Sequence, residues 1–212
     1  MATRQQFPKV KAARAADVCA RFRLDDEARA LLADGARPHE FLSALVAAGR
    51  YRSAIDFLAH ALPPREAVWW GCLALKQASG PVLPTLEAAA LKAATEWVLE
   101  PTEERRSAAK EPAEAAGMAT PSGCLATAVA WTGGSLSPPI PKVPPVPPGP
   151  DLPAKGVAGA VLLASVRGEP ARIAETQRLL VELGTGVAEG RFVWPSVKPV
   201  PAGKTWGRGR SA

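Results

Sequence analysis

The residues able to do chemistry are few and widely spaced. The histidines, His39 and His60, lie 21 positions apart with no partner at ligand spacing. A metal ion needs several Cys, His or carboxylate ligands brought together, so no metal site and no cofactor is expected. Cys19, Cys72 and Cys124 stand about 50 residues apart with no CxxC pair, which favours reduced, buried thiols packing as small hydrophobes. A Cys-His nucleophile pair would have to be Cys72 with His60, on the two helices flanking Pro63-Pro64. At 1.5 Å per residue Cys72 lies about 12 Å from that turn and His60 about 5 Å, an offset too large for a direct hydrogen bond. His60 instead suits a helix C-terminus, where partial positive charge is favoured. Arg65 and Glu66 precede an apolar helix and, with His60, form the candidate polar site. Glu66 lacks a nameable second acid or base, so first-turn capping and ion pairing are the expected roles. Gly133-Gly134-Ser135 lacks the lysine and the preceding strand of a phosphate loop and reads as a turn.

The elements that must position these residues read as helices. Ala recurs throughout and β-branched runs are short. Ala12 to Phe22 forms a first helix; Asp25 caps a second, stopped at Gly35; Pro38 opens a third that ends at Gly49. Tyr51 to Leu62 and Arg65 to Ser79 follow around Pro63-Pro64. The second of these is apolar nearly all round at Ala67 to Leu75, which places it in the middle of the core. Thr85 to Glu100 ends before Pro101, Thr102 to Glu111 is polar all round and expected exposed until Pro112 breaks it, and Thr120 caps a further helix. Residues 138–150, PPIPKVPPVPPGP, contain eight prolines. An extended polyproline II strap of this length spans roughly 40 Å at about 3.1 Å per residue. Asp151 then caps a helix with Val157, Val161 and Leu162, and Pro170 opens another with Ile173, Leu179, Leu180 and Leu183. The expectation is one all-α domain, an irregular array of packed helical hairpins with a polyproline strap between the main body and the last two helices. Its parts are a flexible basic N-terminus (1–11), a main helical body (12–132), a Gly/Pro-rich strap (133–150), C-terminal helices packing on the same body (151–194) and a disordered basic tail (195–212).

Net charge is +6, but its distribution matters more than its size. The first 16 and last 18 residues each carry four basic residues and no acid, leaving 18 basic against 20 acidic residues between them. The body is thus near neutral, which disfavours nucleic-acid binding except weakly, to nucleic acid or an anionic surface, through the tails. Met1 to Lys11 lacks the apolar stretch of a secretory signal, and no apolar run approaches the roughly 18 residues needed to span a bilayer. A cytoplasmic protein without membrane insertion is expected. Within the strap, Lys142-x-x-Pro145-x-x-Pro148 has the spacing of a ligand for SH3-type domains and is the candidate interaction site.

Two resemblances add to this. Gly49 to Leu62, GRYRSAIDFLAHAL, resembles the second half of a tetratricopeptide repeat, in which small Ala residues admit close helix approach; the pattern does not recur at a 34-residue period. Phe41-Leu42, Phe57 to Pro63, Arg65 to Trp70, Trp97-Val98 and Gly133 to Leu136 resemble stretches of an uncharacterised bacterial family, a domain of unknown function whose members occur near type VI secretion components. That resemblance implies a non-enzymatic accessory or adaptor protein acting on another bacterial protein, and it names no catalytic residue. The alternative from another class is an uncharacterised enzyme built around Arg65 and Glu66.

Overall fold

The computed structural model describes residues 7–79, 82–137 and 144–195, and among these the architecture is all-α with no strand. Eleven α-helices follow one another: α1 (Ala15–Cys19), α2 (Asp26–Ala30), α3 (Pro38–Ala47), α4 (Tyr51–Ala61), α5 (Pro64–Ala78), α6 (Thr85–Leu99), α7 (Glu103–Ala108), α8 (Lys110–Ala116), α9 (Pro121–Ala130), α10 (Leu152–Ser165) and α11 (Ile173–Ala188). A single 3-10 turn, Pro170–Arg172, precedes α11.

Local chemistry accounts for most boundaries. The Asp25 carboxylate accepts from Ala28 N–H at 2.7 Å, and Thr120 Oγ1 from Gly123 N–H at 3.1 Å, each capping a helix start. Pro38, Pro64, Pro121 and Pro153 sit in first turns, where the missing N–H costs nothing. Gly49, at φ +68°, turns the chain from α3 into α4, and the two helices pack together.

The core is built on α4, α5, α9 and α10. α5 buries Ala67 to Cys72 together with Ala74 and Leu75. α10 packs on α9, α5 and α4, so this late helix is as central as α5. Its small residues explain the position. A Cβ on Gly156 would come within 2.7 Å of Ala128 Cβ, and one on Gly159 within 3.2 Å of Cys124 Sγ, so α9 and α10 approach more closely than larger side chains would allow. α11 lies across α4 and α5, where Trp70 donates its indole N–H to the Leu180 carbonyl at 2.8 Å. Gly184, one turn on, leaves room for that indole: a Cβ there would stand 2.7 Å from Trp70 Cε2 and 2.9 Å from Leu58 Cδ1.

Several expectations are corrected. The first helix is shorter than Ala12 to Phe22, because the chain turns after Ala20 and sends Arg21 and Phe22 to α4. Residues 7–11 are not a flexible lead. Phe7 and Val10 are buried, and Lys9 N–H donates to the Ala188 carbonyl at 3.2 Å. Pro112 does not break the polar helix: the break falls at Ala109, and Pro112 lies in the first turn of α8. Nor is that helix exposed all round, since Arg106 is buried. Asp151 makes no cap hydrogen bond and instead receives Arg21 Nε at 2.8 Å. The strap is also different. Leu136 N–H donates to the Val146 carbonyl at 2.8 Å, and Ser135 Oγ accepts from Val146 N–H at 3.1 Å. Ten residues of polyproline II would separate positions 136 and 146 by about 31 Å, so the chain returns to its starting point instead of crossing the body; residues 138–143 themselves lie outside the described residues.

Candidate functional site

The three residues of the candidate polar site occupy three different surroundings. Arg65, in the first turn of α5, donates Nε to the Val98 carbonyl at 2.7 Å and Nη2 to the Leu99 carbonyl at 3.1 Å. It thereby satisfies two of the carbonyls left free at the α6 C-terminus, where a cation is also favoured by the helix dipole. Its guanidinium lies over the Trp194 ring at 4.1 Å from the centroid, a cation–π contact that ties the residues after α11 to α5. Trp69 adds an indole N–H to the Phe192 carbonyl at 3.2 Å. Glu66 faces Lys9 at 3.8 Å, a loose pair. Neither Arg65 nor Glu66 hydrogen-bonds to His60 or to the other.

His60 is in the last turn of α4 and only 2% exposed. Its ring stacks on Phe22 at 4.7 Å and 22°. Nδ1 stands 2.8 Å from the Asp56 carbonyl, one turn back. A carbonyl can only accept, so Nδ1 carries the proton and Nε2 holds the lone pair of the neutral ring. Nε2 is buried without a partner. Burial pushes the His60 pKa below its usual 6.5; Arg21 and Lys155 act in the same direction, and the Asp56 carbonyl and Asp151 oppose it.

His60 is among the residues lining a cleft of about 220 Å³. Pro63 and Pro64 enter it from the α4–α5 turn, Pro150 and Pro153 from the start of α10, and Val18 and Val157 complete the apolar wall. Its other polar side chains are Lys11, Asp17 and Arg21. Arg21 is the organising residue: Nε binds Asp151 at 2.8 Å and Nη1 binds the His60 carbonyl at 2.5 Å, so α4, α10 and the segment after α1 meet at one guanidinium. Nothing local in the sequence marks Arg21, because Asp151 is 130 residues away.

The cysteines are held as thiols. Burial raises Cys19 and Cys72 to about 11 and Cys124 in the same direction. Cys72 accepts from Thr95 Oγ1 at 3.6 Å on the α6 side, while His60 turns to Phe22, so the Cys72–His60 pair does not form. Among the described residues no group of three or more His, Cys, Asp or Glu is placed to hold a metal ion. His39 packs edge-on against Phe7 with ring centroids 5.9 Å apart.

Gly133 and Gly134 belong to a turn closed over Arg106. That guanidinium binds both Glu103 oxygens at 2.7 and 2.5 Å and donates Nη1 to the Ala130 carbonyl at 2.7 Å, capping α9. Gly134, at φ +71°, lies so close that a Cβ would meet Arg106 Nη2 at 2.3 Å. Beyond this turn, Pro144, Pro145 and Val146 are exposed and Pro148 is half-buried; Lys142 lies outside the described residues.

No curated protein and no solved structure matches the chain. A family model does, over residues 41–188, from the middle of α3 to the last residue of α11. On that match, which leaves out α1, α2 and the residues after α11, the chain belongs to the family of unknown function DUF6931.

Proposed function

We propose that this protein is a non-enzymatic bacterial adaptor that acts in the cytoplasm by binding another protein, in the service of a type VI secretion apparatus. The observation carrying the protein-binding reading is the base of the proline-rich segment. Hydrogen bonds from Leu136 to Val146 and from Val146 to Ser135 close the segment on itself, and its described prolines 144 and 145 face solvent. A proline run has little conformational freedom to lose, so a segment anchored at its base binds an aromatic-lined groove at low entropic cost. Arg65 and Glu66, the alternative enzymatic centre, are engaged with the α6 terminus and with Lys9, which supports a structural role for both. The secretion association rests on the family resemblance of the segments quoted above.

The test is site-specific photocross-linking in the native cell. A cross-linker at Val146 is expected to give one discrete adduct that is lost on Pro145→Ala with Pro148→Ala, while a cross-linker at Glu104, exposed on α7, gives none. Absence of an adduct from Val146, or an adduct indifferent to both prolines, would overturn the reading.

A further inference from the structure

We infer that the cleft beside His60 is a binding site for a small organic acid, a carboxylate carried on a compact apolar body. The site is independent of the proline-rich segment and of the protein-binding reading.

Volume and walls set the size and polarity of the occupant. A cavity of 220 Å³ holds roughly seven waters' worth of liquid, room for about seven to ten non-hydrogen atoms. Four prolines with Val18 and Val157 offer rigid apolar surface and no backbone N–H from the prolines, so the body of the ligand must be apolar.

Charge sets its head group. The cleft's acid, Asp17, is held by Arg14 at 2.8 Å, and the nearby Asp151 is held by Arg21. On the cationic side, Lys11 makes no ion pair among the described residues, and the Nη2 of Arg21 has no acceptor there. The uncompensated donors among the lining residues are therefore cationic, which fits an anion. A planar carboxylate matches the guanidinium edge, and an apolar wall behind it rejects a heavily hydrated anion.

His60 adds a signature. Its Nε2 is the only buried side-chain nitrogen without a partner among the described residues. The charged and titratable groups around the ring are Arg21, Asp56, Asp151, Lys155, Lys11 and Asp17. Burial above all, with Arg21 and Lys155 acting the same way, favours the neutral imidazole. A negative charge brought into the cleft favours the imidazolium, so binding takes up a proton and strengthens as the pH falls toward the range where the imidazole titrates.

Isothermal titration of the full chain with benzoate, with isobutyrate and with benzyl alcohol as the neutral match tests this. Saturable one-to-one binding of an acid and none of the alcohol is expected. Affinity should rise from pH 7.5 to 5.5, with proton uptake detected as a dependence of the heat on buffer, and that uptake should vanish in His60→Gln. Lys11→Gln, at an exposed position, should weaken binding about two- to fivefold. Ala12→Leu, which fills the cleft from its wall, should weaken it about tenfold or more. No saturable heat at millimolar acid, equal binding of benzyl alcohol, or full affinity in both Lys11→Gln and Ala12→Leu would each overturn the site.

Discussion

At the scale of single residues, His60 and Arg106 show how burial changes what a polar side chain is for. Arg106 is buried, but each of its guanidinium nitrogens bonds to Glu103 or to the Ala130 carbonyl, so its charge is compensated and it serves as a cap for α9. His60 is buried with one nitrogen spent and the other idle, which makes it sensitive to pH. Its pKa is lowered in the folded state, so between that value and the unfolded 6.5 the unfolded chain binds the extra proton and the folded one does not. The stability tied to neutral His60 is therefore complete above pH 6.5 and is lost as the pH falls below it. Asp25, Glu40 and Glu103 are held below the usual carboxylate values and lose their contributions only at lower pH. Asp56, raised by burial, acts in the opposite direction above the ordinary carboxylate value. The loss tied to His60 begins in the window from pH 7 down to 5.5. The melting temperature should fall across it in the parent protein and stay flat in His60→Gln, as read by circular dichroism in acid-free buffer; an unchanged slope in the variant would assign the pH dependence elsewhere.

At the scale of elements, the last two helices complete the core instead of decorating it. Val157 and Val161 on α10 and Leu180 on α11 are fully buried, and Trp70 reaches from α5 to the α11 backbone. Leu162 and Ile173, read from the same apolar stripes, are half-buried. A chain ending at Gly134 should therefore be molten or insoluble, because α4, α5 and α9 would each expose a face. Val161→Asp places an uncompensated charge among those three helices and should cost about 3 to 5 kcal/mol, seen as loss of the cooperative thermal transition. A cooperatively melting truncated chain would show that α10 and α11 are dispensable for the body. The short elements follow another logic. α7 and α8 are polar, yet Arg106, Ala109 and Ala113 turn inward, and helix α8 with α6 and α9 encloses the small cluster of Ala90, Ala113 and Ala126.

At the scale of the whole molecule, charge is segregated from the helical body. Arg4, Lys142, Lys198, Lys204, Arg208 and Arg210 lie outside the described residues with no acid among them, so the described residues carry equal numbers of basic and acidic side chains. No described helix is long and apolar enough to cross a membrane. Deleting residues 1–6 and 196–212 should abolish retention on heparin at moderate salt and leave the helical circular dichroism signal unchanged. Retention by the shortened protein would reveal a basic patch on the helical body. Deletion into residues 7–11 would be a different experiment, since Phe7 and Val10 are buried and Lys9 bonds to the end of α11.

The all-α class, most helix boundaries and the apolar character of α5 were legible in the chain, because caps, first-turn prolines and helical periodicity are local chemistry that acts within a few residues. Pairings at long range were not. The stripe of Val157 and Val161 announces a buried face but not α4, α5 and α9 as its neighbours, and the glycines that bring α10 against α9 look in sequence like weak points of a helix. Arg65 and Glu66 stand side by side in the chain yet serve the end of α6 and the N-terminal lead, because successive helical residues point about 100° apart. Eight prolines suggest an extended rod, and the two hydrogen bonds joining Leu136 and Ser135 to Val146 decide that the chain returns instead. Arg21, Asp151 and His60 are brought together only by tertiary packing. Their meeting beside Pro63 and Pro153 creates a cleft that no stretch of the sequence contains, since a cavity is a property of surfaces brought together and not of any one of them.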